Sequence, residues 1–317
     1  MTFALTFPGQ GSQKIGMGHS LASAFPASKE VFEEVDDALS QNLSRLMWQG
    51  DIKDLTLTAN AQPALMACGI AAIKALETEC GFSVSDAKYA AGHSLGEYTA
   101  LCAAGSISLK DTALLLRARG NAMQAAVPPG LGAMAALLGA SIDDAETAIS
   151  RAKDLGVCQI ANDNASGQIV ISGNLKAVEK ACSEAALIGV KKAMMLNVSA
   201  PFHSSLMSSA ADEMSRALSE VEFFKPIIPV VNNVRAKAII DPKTLKDDLI
   251  LQVTGRVRWR ESVLFMYENG IEKFIEPGCG KVLTVMLRRI IKGPNGISVD
   301  AEESLVSFNK EFKDSYV

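Results

Sequence analysis

The chain has 317 residues, 48% of them hydrophobic and 21% charged, with a formal net charge of −4. That balance fits a globular protein with a large core and argues against binding to nucleic acid or to an anionic membrane. Six cysteines without a C-x-x-C pair, and only three histidines, point to reduced thiols and to no metal site.

The first run lacks a basic leader, and the longest apolar stretch, residues 64–73, is too short to span a bilayer, so a cytoplasmic location is expected. Residues 2–7 alternate and are β-prone, and Pro8-Gly9 ends them as a first strand. A mixed helical pattern covers 31–48, and a helix opens at Gln62-Pro63 and runs to 79. A short strand at 88–91 leads into Gly92-His93-Ser94-Leu95-Gly96. Helices follow at 95–104 and 111–125, and Val127-Pro128-Pro129-Gly130 closes this half.

Beyond that break the rhythm changes. A strand at 132–138 and a helix at 142–152 precede two strands, 157–162 and 168–172, joined by a hairpin over 163–167. A helix at 175–187 and a strand at 191–198 complete a βαββαβ unit, the ferredoxin-like arrangement. It reads as an insertion in a larger α/β unit. The expected division is 1–127 and 199–317 for a discontinuous catalytic part, and 128–198 for the small one. The larger part resumes with Ser199-Ala200-Pro201-Phe202-His203, then a helix at 204–218, a strand at 228–232, a helix at 245–253, a strand at 273–275 and a helix at 282–291.

The pentapeptide at 92–96 is a G-x-S-x-G pattern between strand and helix. A serine on such a turn projects its hydroxyl, and the N–H groups that follow can hold an oxyanion. Ser94 is the candidate nucleophile. Its base is expected to be His203, on a proline-containing loop at a junction, because His93 adjoins Ser94 and an elbow sends neighbours apart, while His19 reads as a residue of the surface or just behind the site. No acid between them stands out as a third member, and strands continue after His203, which argues against an ordinary hydrolase triad.

The glycine-rich run Phe7-Pro8-Gly9-Gln10-Gly11-Ser12-Gln13 fails both nucleotide-loop patterns; Lys14 holds the third glycine position. It reads as a turn that another segment or a ligand approaches closely, and as a source of a second oxyanion N–H. Arg117 and Arg119 face different ways on their helix, one of them solvated. A guanidinium beside Gly120 in an apolar helix suits a carboxylate, although composition alone favours a salt bridge. Arg256, Arg258 and Arg260, and again Arg288, Arg289 and Lys292, form basic clusters that read as solvated faces or as a docking patch for an acidic partner.

Together Pro8-Gly9-Gln10-Gly11-Ser12-Gln13, Ala61-Gln62-Pro63-Ala64, the elbow through Glu97-Tyr98, Arg119-Gly120 with Met123-Gln124, and Ala200-Pro201-Phe202-His203 resemble the malonyl-CoA:acyl-carrier-protein transacylases of bacterial type II fatty acid synthesis. The resemblance runs from residue 3 to at least 287. It implies an α/β-hydrolase-like core with a mostly parallel sheet plus a ferredoxin-like small part. It implies Ser94 as nucleophile, His203 as base, Gln252 as the residue whose backbone carbonyl orients the histidine, and Gln10 and Leu95 as the oxyanion N–H pair. Arg119 then pairs with the malonyl carboxylate, with Gln62, Met123, Asn162 and Asn164 near the cleft. Phe202 leaves little room for an α-methyl group; methylmalonyl-selective relatives resemble G-H-S-Q-G with a serine before the histidine. Cys279 stands in Glu276-Pro277-Gly278-Cys279-Gly280 where relatives show proline, which implies a local loop difference without loss of activity. The implied partners are malonyl-CoA and holo acyl carrier protein, with a monomeric chain and no metal or redox cofactor. A serine esterase or thioesterase, and a carrier-binding subunit without catalysis, are the competing readings.

Overall fold

Two sheets divide the work of building the cleft. The computed structural model describes residues 2–198, 200–293 and 295–316, side chains of 295 and 311–316 excepted. Its strands are β1 (Phe3–Phe7), β2 (Tyr89–Gly92), β3 (Gly132–Leu138), β4 (Cys158–Ala165), β5 (Gln168–Asn174), β6 (Lys192–Met195), β7 (Val230–Val231), β8 (Ala238–Ile239), β9 (Lys273–Pro277) and β10 (Asn295–Val299). One sheet runs β10-β9-β1-β2-β7-β8, parallel except at the β8 edge. The other runs β4-β5-β3-β6 and is antiparallel throughout. This is the mixed α/β fold with a mostly parallel main sheet that the sequence implied, and the order of the second sheet is that of a βαββαβ unit.

β1 departs from the alternation read in the sequence: all five of its residues are buried. Phe3, Leu5 and Phe7 pack into one core and Ala4 into another on the opposite face. A parallel strand covered by helices on both sides needs no polar face. Helix Thr58–Cys80 is likewise buried nearly all round, as befits a helix at the centre of a large core. It begins four residues before the expected start at Gln62, because Asn60 and Ala61 already donate to Leu57 O. Pro63 therefore sits inside the helix rather than at its opening.

Several elements were not anticipated: helices His19–Ala24, Ile52–Thr56, Trp259–Glu268 and Glu302–Tyr316, and β10. The expected strand at 228–232 shrinks to Val230–Val231, since Asn232 and Asn233 leave the ladder to make side-chain bonds. The strand expected at 191–198 stops at Met195, and Ser199 lies outside the described residues. The hairpin is tighter than the 163–167 loop: β4 continues to Ala165, and only Ser166 and Gly167 turn. Register shifts at Ile160/Asn162 and Asp163/Ala165 absorb the extra residues.

Those bulges aim β4 at the main sheet. Asn162 bridges Val257, with Asp163 N–H donating to Val257 O at 2.9 Å and Val257 N–H to Ala161 O at 2.8 Å. Arg260 grips the buried Asp163 carboxylate through Nε at 3.0 Å and Nη2 at 2.8 Å. One wall of the cleft is thereby fixed to the other. Among the described residues, no helix is long and apolar enough to cross a membrane.

Candidate active site

β2 ends at Gly92 and the next helix, Leu95–Ala103, starts after only two intervening residues. Ser94 makes the bend at φ 53 and ψ −109, a conformation that L-residues rarely adopt and that costs about 1–3 kcal/mol. The flanking glycines are required by contact. A Cβ on Gly92 would sit 1.9 Å from the Gly96 backbone, and one on Gly96 would sit 2.2 Å from Phe7 O. Side chains from elsewhere then hold the bend. Asn233 Oδ1 accepts from Ser94 N–H at 2.7 Å, its Nδ2 donates to Gly92 O at 2.7 Å, and Gln252 Nε2 donates to Ser94 O at 3.0 Å.

His203 also has a positive φ, 56°. Its Nε2 is 2.8 Å from Ser94 Oγ. Its Nδ1 is 2.9 Å from Gln252 O and 3.2 Å from Gly255 O, so Nδ1 carries the proton and Nε2 is left to accept. Both carbonyls belong to the end of helix Pro242–Thr254, where the last carbonyls lack intrahelical donors and carry partial negative charge. A helix C-terminus stands where a triad would place an acid. Burial pushes the His203 pKa down to about 3, with the Arg119 charge adding to the effect and the bond to Gln252 O opposing it. The imidazole is neutral at ordinary pH.

Arg119 reaches this point because its helix, Leu109–Ala125, crosses Thr58–Cys80 at Gly120. A Cβ there would lie 2.6 Å from Ala59 Cα. The close crossing puts Arg119 Nη1 2.9 Å from Gln62 Oε1. Nη2 is 3.0 Å from Ser94 Oγ and 2.9 Å from Gln252 Oε1, and the guanidinium lies over the Tyr98 ring at 5.6 Å. Arg119 is 1% exposed, yet among the described residues no carboxylate hydrogen-bonds to it, and its Nε has no partner. A buried cation held only by neutral groups leaves room for an anionic ligand. Arg117, read as one of a pair with a solvated member, is half-buried and bonded to Asn60 and Gln41.

Gln10, Gln62, Leu95, Met123, Asn162, Asn164 and Phe202 line one cavity of about 250 Å³ with Ser94, Arg119 and His203. Gln252 stands behind them, bonded to Ser94, Arg119 and His203. Gln62 Nε2 approaches Met123 Sδ at 3.9 Å. The N–H groups of Gly96 and Glu97 are taken by His93 O and Ser94 O, so Leu95 offers the first uncommitted N–H of its helix. His93 points away from Ser94 and binds Asn164 at 2.8 Å, and its pKa is lowered by burial. His19 is exposed against the Trp48 edge, as the sequence suggested. Cys279 Sγ donates to Ser12 O at 2.8 Å, tying the end of β9 to the Gln10 loop.

Sequence reasoning missed Asn233 and gave Glu97 no role. Beyond Asn162 and Asn164 on β4, it also missed the rest of the cavity wall on that side: Met134, Val170 and, just past β6, Leu196, Asn197 and Val198. Asn233 had a readable signal, an Asn-Asn pair ending an apolar strand. The others needed the docking of two sheets.

The acyl transferase domain family matches residues 4–300. The malonyl CoA-acyl carrier protein transacylase of Bacillus subtilis (strain 168) is 42% identical over 303 residues, 95% of this chain and 94% of that protein. The crystal structure of an acyl-carrier-protein-S-malonyltransferase from Bartonella henselae superposes with a TM-score of 0.96 at 52% identity, covering 99% of this chain and 100% of that one. A malonyl-transacylase solved with its holo type II PKS acyl-carrier protein gives 0.95 at 38% identity, covering 98% and 100%. The chain therefore belongs to the malonyl CoA-acyl carrier protein transacylases of the acyl transferase family.

Proposed function

We propose that this chain moves a malonyl group from malonyl-CoA to the phosphopantetheine thiol of acyl carrier protein through a malonyl-Ser94 ester. The observation that carries the reading is Arg119, a buried guanidinium with only neutral hydrogen-bond partners, 3.0 Å from Ser94 Oγ. A thioester acyl group with a free carboxylate at its far end supplies the missing anion beside the nucleophile.

His203 Nε2 takes the Ser94 proton as Oγ attacks the thioester carbonyl. The tetrahedral oxyanion rests on the N–H groups of Gln10 and Leu95, with the positive end of helix Leu95–Ala103 behind it. The C–S bond breaks, and CoA leaves with the proton from His203. In the second half the carrier thiol gives its proton to His203 and attacks the ester. The malonyl thioester departs, and the proton returns to Ser94 Oγ. The malonyl carboxylate also affects the base. Its pairing with Arg119 cancels part of the charge that depresses His203, so the imidazole becomes more basic when substrate is bound.

Gln62 and Gln252 hold the guanidinium, Met123 and Phe202 limit the space around the acyl group, and Asn162 and Asn164 form the rim on the β4 side. We further propose the division 1–127 with 199–317 for the catalytic part and 128–198 for the small one, whose sheet supplies the opposite wall. A monomer suffices, because every side chain named comes from one chain. Six free cysteines suit a reducing, cytoplasmic setting.

Intact-mass measurement after adding malonyl-CoA tests the reading. The native chain should gain one malonyl group and lose it to holo carrier protein, and Ser94→Ala should gain none. Release of free malonate as the main product would show a hydrolase. An unlabelled native chain that still binds carrier protein would show a subunit without catalysis.

A further inference from the structure

Among the described residues Glu97 is the buried carboxyl beside the nucleophile, and the proposed chemistry leaves it without a task. It lies in the first turn of helix Leu95–Ala103 and is 1% exposed. Its Oε2 accepts from Asn233 N–H at 2.9 Å and from Gln252 Nε2 at 2.8 Å, while Oε1 has no hydrogen-bond partner among the described residues. Burying a carboxyl with half its acceptors unused is costly, and burial raises its pKa to about 7. The site needs an acceptor there, since an apolar side chain would leave the buried Asn233 N–H without one, but it does not need a carboxyl.

The partner explains the cost. The Gln252 amide has two ends with opposite hydrogen-bonding character. Nε2 faces three acceptors, Glu97 Oε2 at 2.8 Å, Ser94 O at 3.0 Å and, more distantly, Asn233 Oδ1 at 3.4 Å, and Oε1 faces one donor, Arg119 Nη2 at 2.9 Å. Ser94 O and the distant Asn233 Oδ1, which already accepts from Ser94 N–H, are weaker determinants of which end points where. Without the Glu97 acceptor, a half-turn of the amide would set NH2 against the guanidinium, donor against donor. Arg119 Nη2 would lose its anchor, and the guanidinium could settle away from the carboxylate position.

We propose that Glu97 is a positioning residue for acyl selection: it fixes the Gln252 amide with its oxygen toward Arg119, and so holds the guanidinium where a malonyl carboxylate binds. The inference rests on the role given to Arg119 above. It requires an acceptor at position 97, not a charge.

The test compares transfer of malonyl and acetyl groups from their CoA thioesters in the full chain. Arg119→Ala sets the reference by narrowing the malonyl preference. Glu97→Ala should narrow that preference by about tenfold to a hundredfold, the loss of a hydrogen bond that orders a charged group. Glu97→Gln, which keeps an acceptor for Gln252, should retain the preference. Gln252→Met should narrow it as Glu97→Ala does. The double variant should be no less selective than Gln252→Met alone, because Glu97 acts through that side chain. A residue that only stabilised the fold would lower both acyl transfers together, leaving their ratio unchanged. A native ratio in Glu97→Ala, or an equal loss in Glu97→Gln, overturns the proposal. If Glu97→Ala does not fold, Gln252→Met decides: a retained malonyl preference there overturns it as well. A native ratio in Arg119→Ala would instead bring down the reading of Arg119, and this inference with it.

Discussion

His203 Nδ1 donates to the main-chain carbonyl of Gln252 at 2.9 Å, and the acceptor is part of a helix end rather than a carboxylate. The bond fixes the tautomer and places partial negative charge behind the ring without adding another ionised group to the cleft. Its effect on basicity is smaller than that of burial and of Arg119, which together hold the free site's imidazole at about 3 against an ordinary 6.5.

The pH profile should reflect this in two ways. For kcat/KM, which reports the free enzyme, the acid limb attributable to His203 should lie well below 6.5. For kcat it should lie higher, since bound malonyl carboxylate offsets Arg119. Stability follows the same logic. Below pH 6.5 the unfolded chain takes up a proton that the native His203 refuses until about 3, so its contribution is lost as pH falls through that window. Glu97, raised from 4.5 to about 7, works oppositely: its contribution is full below 4.5 and is lost as pH rises through 7. Urea midpoints between pH 6.5 and 5 should therefore fall less for His203→Gln than for the native chain. Equal slopes would contradict the depressed value.

Arg119 should separate the acyl groups. Truncating one partner of a desolvated charge pair costs roughly 2–5 kcal/mol, and acetyl-CoA has no carboxylate to lose it. Arg119→Ala should reduce malonyl transfer by that amount and acetyl transfer by far less, measured as kcat/KM for each thioester. A uniform loss would assign Arg119 to its contact with Ser94 Oγ and to the packing around it, with no part in reading the acyl group.

Much of this arrangement was legible in local sequence, because the elbow is a local solution. The strand, the two glycines and the serine are neighbours, and the bend is so tight that a Cβ on either glycine would lie only 1.9 or 2.2 Å from backbone. Arg119 was ambiguous from composition, since a buried guanidinium and a surface ion pair look alike until the helix crossing at Gly120 is known. Asn233 and Glu97 were illegible as a pair. Their bond joins residues 136 apart in sequence, and nothing in either segment announces the other. The basic run at 256–260 looked available for docking, yet Arg256 and Arg258 pair with Glu261, and Arg260 with Asp163. Acids three to five residues away, and one brought in by the second sheet, had already claimed those charges.

The elbow's tolerance can be measured directly. Gly96→Ala would place a methyl 2.2 Å from Phe7 O, and the obstacle is backbone of a central strand, which cannot rotate away. The expected cost is about 1–3 kcal/mol or more, visible as a lower melting temperature, with Ser94 displaced from His203 and labelling by malonyl-CoA slowed. An unchanged melting temperature would mean that the Phe7–Gly96 contact yields more readily than a packed sheet should.

Arg288, Arg289 and Lys292 remain as exposed cations, and none of the three has an acidic partner among the described residues. Helix Val282–Ile290 also exposes Val282 and Val285, so charge and apolar surface lie on one element. If this face receives an acidic carrier protein, the two half-reactions should respond differently to salt. Loading from malonyl-CoA, on the role proposed for Arg119, relies on a charge inside the cleft, where screening is weak. Transfer to the carrier depends on exposed charges, whose reach is about 10 Å at 0.1 M salt. Raising ionic strength should therefore raise KM for carrier protein more than KM for malonyl-CoA. Arg288→Glu with Arg289→Glu should reproduce the effect at low salt and leave Ser94 labelling intact. A carrier KM indifferent to both changes would move the docking site off this helix.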